Sequence, residues 1–214
     1  NLAPTSAQTG AELLRNGGFE REPDGEWSFP RTPARGRRTL DAHHSGDWSA
    51  LLGLRPDDAD VFSYSTAHQK VAIPRDAWPV TLSFWYLAGT QEAANASAAA
   101  VRWEGYAPLR LADLTLRAAA DEGLWLSHDW QRALVLNASY GVEQVLWTTC
   151  ETSGGWTYAQ YDLTRYAGRT IVVYFEVLNN GAGGRPTHLF LDQVSLAVGS
   201  QTRAWLPIIV VGER

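Results

Sequence analysis

The 214-residue sequence has no methionine, a single cysteine and, in Lys70, a single lysine. With Cys150 alone, no internal disulfide can form, and a cysteine-based zinc site within one chain is excluded. Without methionine, residue 1 is not a translation start. A processed chain or an excerpt is expected, and a removed signal peptide ahead of the small-polar stretch 1–10 fits that expectation. Charge is scarce: 19% of residues are charged, against about 25% in ordinary chains. The net charge of −5 lacks the basic surplus of a nucleic-acid binder. No apolar run approaches the roughly 20 residues that a membrane helix needs. Helical periodicity is almost absent. Residues 92–100 tolerate a helix but carry no apolar stripe, and 109–116 and 117–122 are ambiguous.

What remains reads as strand. Short runs rich in Val, Ile, Leu, Tyr, Phe and Trp, bounded by Gly, Pro, Asn or Asp, predict strands at 12–15, 50–54, 63–73, 80–87, 130–136, 144–149, 157–162, 171–178, 188–196 and 205–211. The run from Thr170 to Val177 is nearly all apolar, as in a strand covered on both faces. Many short strands with turn signals between them predict an all-β fold, an antiparallel β-sandwich or jelly roll. The expected organisation is an N-terminal tail (1–11), a β-jelly-roll domain (12–198) with an elaboration at 88–128, and a C-terminal apolar strand (199–214).

Three segments carry a resemblance: Leu14-Arg15-Asn16-Gly17-Gly18-Phe19-Glu20 followed by Trp27, then His44-Ser45-Gly46-Asp47-Trp48-Ser49, then Leu191-Asp192-Gln193-Val194-Ser195-Leu196. In this order they resemble the galactose-binding-like β-jelly-roll superfamily, to which many carbohydrate-binding modules belong. Asp129-Trp130-Gln131, Leu146-Trp147, Trp156 and the run from Tyr161 to Thr170 look like a module recurrent in secreted and surface proteins of Chloroflexi-type bacteria. The resemblance covers roughly 12–196 and is weakest over 88–128. It implies a structural Ca²⁺ tying the opening strand, the Ser-Gly turn and the closing strand together. Glu20 and Asp192 would supply carboxylates, and backbone carbonyls near Gly18 and Asp47 would complete the shell of 6–8 oxygens. Gln193 stands where family members usually have a second Asp. The His before Ser-Gly is a turn residue in the family, so His43-His44 is read as a turn rather than a metal pair.

Catalytic signatures are weak. Glu104, Asp113, Asp121, Glu122, Asp129 and Glu143 are carboxylates available to a glycosidase, but none sits in a recognisable motif. There is no Gly-x-Ser-x-Gly elbow, and Cys150 has no basic activating neighbour. The ten tryptophans suggest sugar binding, because aromatic faces stack on the C–H faces of sugar rings. Trp78, Trp103, Tyr106, Trp125 and Trp156 are flanked by polar or turn residues and are the expected exposed set. Trp85, Trp130 and Trp147 stand inside strand patterns and read as core.

Beyond the closing strand, Trp205, Leu206, Ile208, Ile209 and Val210 form an apolar, β-prone segment that would aggregate if left exposed. Pro207 suits it to an edge strand. It can complete its own sheet, or that of another copy by β-augmentation, and a head-to-tail contact of the second kind gives filaments. The leading expectation is therefore a secreted, non-catalytic extracellular structural or adhesive subunit, displayed at the cell surface, whose partners are copies of itself. The alternative is a carbohydrate-binding module whose partner is an extracellular glycan. Calcium is the only expected cofactor.

Overall fold

The computed structural model describes residues 11–22, 25–92, 129–181 and 185–199. Ten strands follow in order: β1 (Ala11–Glu12), β2 (Arg37–Thr39), β3 (Ser49–Gly53), β4 (Phe62–Ala72), β5 (Val80–Thr90), β6 (Trp130–Asn137), β7 (Val142–Thr149), β8 (Thr157–Asp162), β9 (Thr170–Asn180) and β10 (Thr187–Val198), with one 3₁₀ turn at Thr164–Tyr166. They form two antiparallel sheets. Sheet A runs β2-β3-β10-β5-β8, and β1 pairs with the end of β10; sheet B runs β4-β9-β6-β7. The all-β sandwich expected from the strand pattern is the fold observed.

Period-2 alternation builds the core. Leu82 and Phe84 of β5, Ala50 and Leu52 of β3, and Leu189, Leu191 and Leu196 of β10 point inward from sheet A. Ala67, Ala133, Val135, Val173, Phe175 and Val177 meet them from sheet B. Phe19 and Trp27, 5.1 Å apart, join the same core, and Trp27 reaches Phe175 at 6.3 Å. β9 lies between β4 and β6 and is buried on both faces, as its unbroken apolar run requires.

Most strand ends differ from expectation by one or two residues, and three differences are larger. β1 ends at Glu12, because the Leu14 and Arg15 amides donate to the side chains of Glu12 and Gln69 rather than to a ladder. β5 continues through Ala88, Gly89 and Thr90, which pair with Leu189, His188 and Thr187, so these residues belong to the sheet and not to the elaboration. β2 was not expected at all: Arg37-Arg38-Thr39 has no apolar alternation and is a strand only through pairing with β3. The predicted strand 205–211, the ambiguous stretches 109–122 and all but the inner end of the expected segments 1–11 and 199–214 lie outside the described residues; Ala11, expected in the N-terminal tail, belongs to β1 and pairs with Val198.

Candidate functional site

The opening Asn-Gly-Gly-Phe-Glu segment folds tightly against the closing strand. Asn16 and Phe19 have positive φ values of 52° and 58°. A Cβ on Gly17 would sit 1.8 Å from the Val194 carbonyl oxygen, so only glycine permits the hydrogen bond from Val194 N–H to Gly17 O. This contact brings Glu20 and Asp192 to one turn. The fully buried Asp192 accepts from the amides of His44 (2.8 Å), Ser45 (2.9 Å) and Gln193 (2.6 Å). Glu20 accepts from the amides of Asp47 (3.1 Å) and Trp48 (3.2 Å). A Cβ on Gly18 would lie 3.8 Å from Asp192 Oδ1 and 3.7 Å from Glu20 Cγ, while the Glu20 carboxylate itself lies against Gly46.

The donor set is hard oxygen, as Ca²⁺ prefers. Asp192 Oδ1 takes only one of these N–H groups and keeps acceptor capacity for a cation. No group of three or more acidic, His or Cys side chains suited to a metal occurs among the described residues, so an ion here would depend on carbonyls and water for the rest of its shell. Glu20 and Asp192 are oxygen donors of the kind that Ca²⁺ takes. Gln193 (φ 48°) lies at the irregularity between Asp192 and Ser195. Its side chain reaches away to His44 Nδ1 at 3.1 Å.

The 44–48 turn also completes a surface. Leu82 and Phe84 point into the core, so Trp85 between Phe84 and Tyr86 stands on the outward face of sheet A. The His44 ring stacks on Trp85 (3.8 Å between centroids, 13° between planes). Tyr158, opposite Trp85 on β8, lies 5.3 Å from it on the other strand. Trp156 meets His44 edge-on at 5.9 Å. Tyr158, Trp85, His44 and Trp156 form a row. Tyr158 is 49% exposed; the other three are half-buried. Exposed Gln160 and Gln193 border the row, and the Tyr158 hydroxyl donates to Gln160.

Of the five aromatics expected to be exposed, Trp156 falls in this row. Trp78 is 56% exposed but lies before β5, near the point where Ala11 and Gly199 enter and leave the described chain. From Val80 to Leu87 alone the strand runs about 24 Å, so Trp78 and Trp156 do not act together. Trp103, Tyr106 and Trp125 lie outside the described residues, as do Trp205, Leu206, Ile208, Ile209 and Val210. Trp85 was expected in the core and is a correction: it sits in a strand, but on the outward side. Trp130 is buried as expected, though in a small cluster with Tyr64 and Leu178 apart from the main core, and Trp147 packs against that core as expected. His44 is a turn residue as expected, and its stacking role was not legible from the motif.

The outward face of sheet B is of another kind. Arg132 pairs with Glu176 at 3.1 Å, and both are buried. Tyr64 donates to Glu176 and shares a 2.7 Å hydroxyl contact with Tyr174. Burial, then the Glu176 charge, pushes the Tyr64 hydroxyl well above its ordinary pKa. Tyr, Trp, Arg and Glu are residue types that sugar-binding faces use, but here they are buried. Among the carboxylates considered for hydrolysis and set aside, Asp129 is buried, accepts from the Asn180 amide at 2.7 Å, and is pushed up to about 6 by burial. Glu143 is held below the usual range by a 2.7 Å hydrogen bond from Arg169. Glu104, Asp113, Asp121 and Glu122 lie outside the described residues. Burial raises the Cys150 thiol to about 11, so it is not an activated nucleophile.

No protein-family model matches the sequence, and neither does any curated protein. Solved structures do match. A family 61 carbohydrate-binding module, TmCBM61, solved in complex with β-1,4-galactotriose, is similar with a TM-score of 0.50 at 13% identity, over 87% of this chain and 97% of that one. The CBM22-1 xylan-binding domain from Paenibacillus barcinonensis Xyn10C follows with a TM-score of 0.48 at 14% identity, over 90% and 97%. A family 16 carbohydrate-binding module gives 0.44 at 16% identity, over 86% and 98%. The likeness is one of fold: the chain has the β-jelly-roll architecture of carbohydrate-binding modules.

Proposed function

We propose that this chain is a non-catalytic carbohydrate-binding module that acts outside the cell, where polysaccharide is its partner. The observation that carries the reading is the outward aromatic row Tyr158–Trp85–His44–Trp156 with its glutamine border. Aromatic rings offer faces and edges to the C–H groups of a sugar, and amide side chains supply both donors and acceptors for its hydroxyls. The fold supports the same reading, since the family 61 module with this architecture was solved holding a β-1,4-linked galactotriose. Of the carboxylates considered for hydrolysis, the two described are engaged elsewhere: Asp129 with a backbone amide and Glu143 with Arg169.

Calcium is part of the proposal. Bound between Glu20 and Asp192, it would clamp the turn that carries His44, and so hold one member of the row in place. The self-assembling subunit rests on 203–214, outside the described residues, and takes second place. Binding to β-1,4-galactan and xylan, measured by affinity electrophoresis, tests the order. Binding that falls at least about tenfold in Trp85→Ala and Tyr158→Ala, with the melting temperature of Tyr158→Ala unchanged, supports the module. Absence of binding across a glycan array, with filaments of the intact protein in the electron microscope, returns the subunit reading to first place.

A further inference from the structure

A second feature lies on the opposite edge of sheet A from β8. Four arginines, Arg31, Arg35, Arg37 and Arg38, fall within eight residues of a chain whose net charge is −5. They do not share one role. Arg38 is committed to the fold: its Nε donates to the Phe19 carbonyl, its terminal nitrogens donate to Glu20 O and the Glu22 carboxylate, and its guanidinium lies 3.9 Å over the Trp48 ring. Arg31, Arg35 and Arg37 are exposed, and none of the three forms an ion pair among the described residues. Arg35 is nonetheless aimed, because its Nε donates to the Phe29 carbonyl at 2.8 Å.

Arg35 and Arg37 flank Gly36, where a Cβ would come within 2.9 Å of both Phe29 and the Thr66 carbonyl oxygen. This tight passage fixes the backbone between them. Both line a hollow of about 380 Å³ that also takes in Glu22, Phe29, Arg38 and Trp48. The hollow thus sets two guanidinium groups without acidic partners beside the half-buried Trp48 indole, whose one face Arg38 covers, and over the buried Phe29, with Glu22 engaged by Arg38. Aromatic surface suits the C–H face of a sugar, and a planar guanidinium fork suits a carboxylate or sulfate. A neutral sugar would use the rings and leave the cations idle.

We infer that the β2-edge hollow is a subsite for an acidic sugar, so that the polysaccharide this module recognises is anionic. The inference rests on the carbohydrate-binding reading and adds the charge of the ligand to it. Three probes test it on the full chain: polygalacturonate for carboxylate, dextran sulfate for sulfate ester, and β-1,4-galactan as the neutral control. At least one anionic polymer should bind about tenfold more tightly than galactan at 50 mM NaCl, with the preference shrinking as salt shortens the screening length. The double variant Arg35→Gln/Arg37→Gln should bring that polymer to the galactan level while keeping the melting temperature. A preference for polygalacturonate alone assigns the site to carboxylate, and one for dextran sulfate alone to sulfate. Galactan bound as well as either anion, or a preference that survives in the double variant, overturns the subsite and leaves the module reading standing. Binding to none of the three polymers or to any other glycan overturns both.

Discussion

Asp192 is the residue whose removal separates the fold from the metal. Its side chain is fully buried and holds three backbone amides. Hydrogen bonds to a charged group contribute about 1.5–3 kcal/mol each. Some of the freed amides will find water, so Asp192→Ala should cost about 3–5 kcal/mol in total. In a domain of this size, 1 kcal/mol moves the melting temperature by about 2–4 °C, so a fall of roughly 10 °C is expected even in EDTA. Calcium adds a second, separable effect. An ion at a hundred times its Kd stabilises by about 2.7 kcal/mol, a rise of roughly 5–10 °C. Glu20→Gln keeps an acceptor oxygen for the Asp47 and Trp48 amides but removes a negative charge from the site. It should therefore melt near the wild type in EDTA and lose most of the calcium increment. Differential scanning calorimetry of wild type, Glu20→Gln and Asp192→Ala, each with EDTA and with millimolar Ca²⁺, reads both effects. A wild-type melting temperature indifferent to Ca²⁺ would refute the metal site, and an Asp192→Ala protein as stable as wild type in EDTA would refute the role given to the three amides.

Two buried groups make the stability depend on pH in opposite senses. Burial, aided by Lys70, lowers His68 to about 4. The folded state then binds fewer protons than the unfolded chain, and the stability His68 contributes is lost as pH falls from about 6.5 toward 4. Asp129 is raised to about 6, so its contribution has the other sign: present in acid, lost as pH rises from about 4 through 6. Relative to wild type, Asp129→Asn should gain melting temperature progressively from pH 4 to 7, and His68→Gln should gain it toward acid; slopes of the same sign in the two variants would contradict the assignment. In sheet B, Glu176→Gln removes the carboxylate that the buried Arg132 guanidinium pairs with at 3.1 Å. It should cost about 3–5 kcal/mol, whereas the paired replacement Arg132→Met/Glu176→Leu should recover most of that. Urea unfolding of the single and double variants checks the pair, and a single variant within 1 kcal/mol of wild type would show that the ion pair is not desolvated.

The sheets were legible because their chemistry is local. β9 reads as a covered strand from Ile171 to Leu178, and β8 alternates Tyr158, Gln160 and Asp162 against Thr157, Ala159 and Tyr161 with exposed and half-buried positions to match. Asn16-Gly17-Gly18-Phe19 reads as a fold signature for a reason now visible: the positive φ values and the approach to Val194 admit little else. β2 was not legible. Arg37-Arg38-Thr39 has no strand pattern of its own and is a strand only through its ladder to Leu51, Ala50 and Ser49, a pairing that its own residue types do not announce.

The surface proposed for binding failed to show itself for a different reason. Aromatics inside strand patterns were assigned to the core, and those in polar surroundings to the surface. That rule uses composition where parity decides. In Leu82-Ser83-Phe84-Trp85, two inward residues at i and i+2 send Ser83 and Trp85 outward whatever their hydrophobicity. An outward tryptophan in the middle of a strand is a large apolar side chain on the wrong face for the core, so it calls for either cover or a ligand. Tyr158 and His44 needed more than parity, because β8 reaches β5 and the 44–48 turn reaches Trp85 only through the tertiary fold. Asp192 supplies that last step. By holding the amides of His44 and Ser45, it fixes the turn over the sheet, and the same carboxylate is one of the two proposed to hold calcium. The proposed clamp and the proposed binding surface therefore share a residue. Loss of the ion should loosen His44 from Trp85 and weaken glycan binding in wild type, while Tyr158→Ala should weaken binding with the calcium response intact. If EDTA left glycan affinity unchanged while lowering the melting temperature, the clamp would serve the fold alone and His44 would have no part in the site.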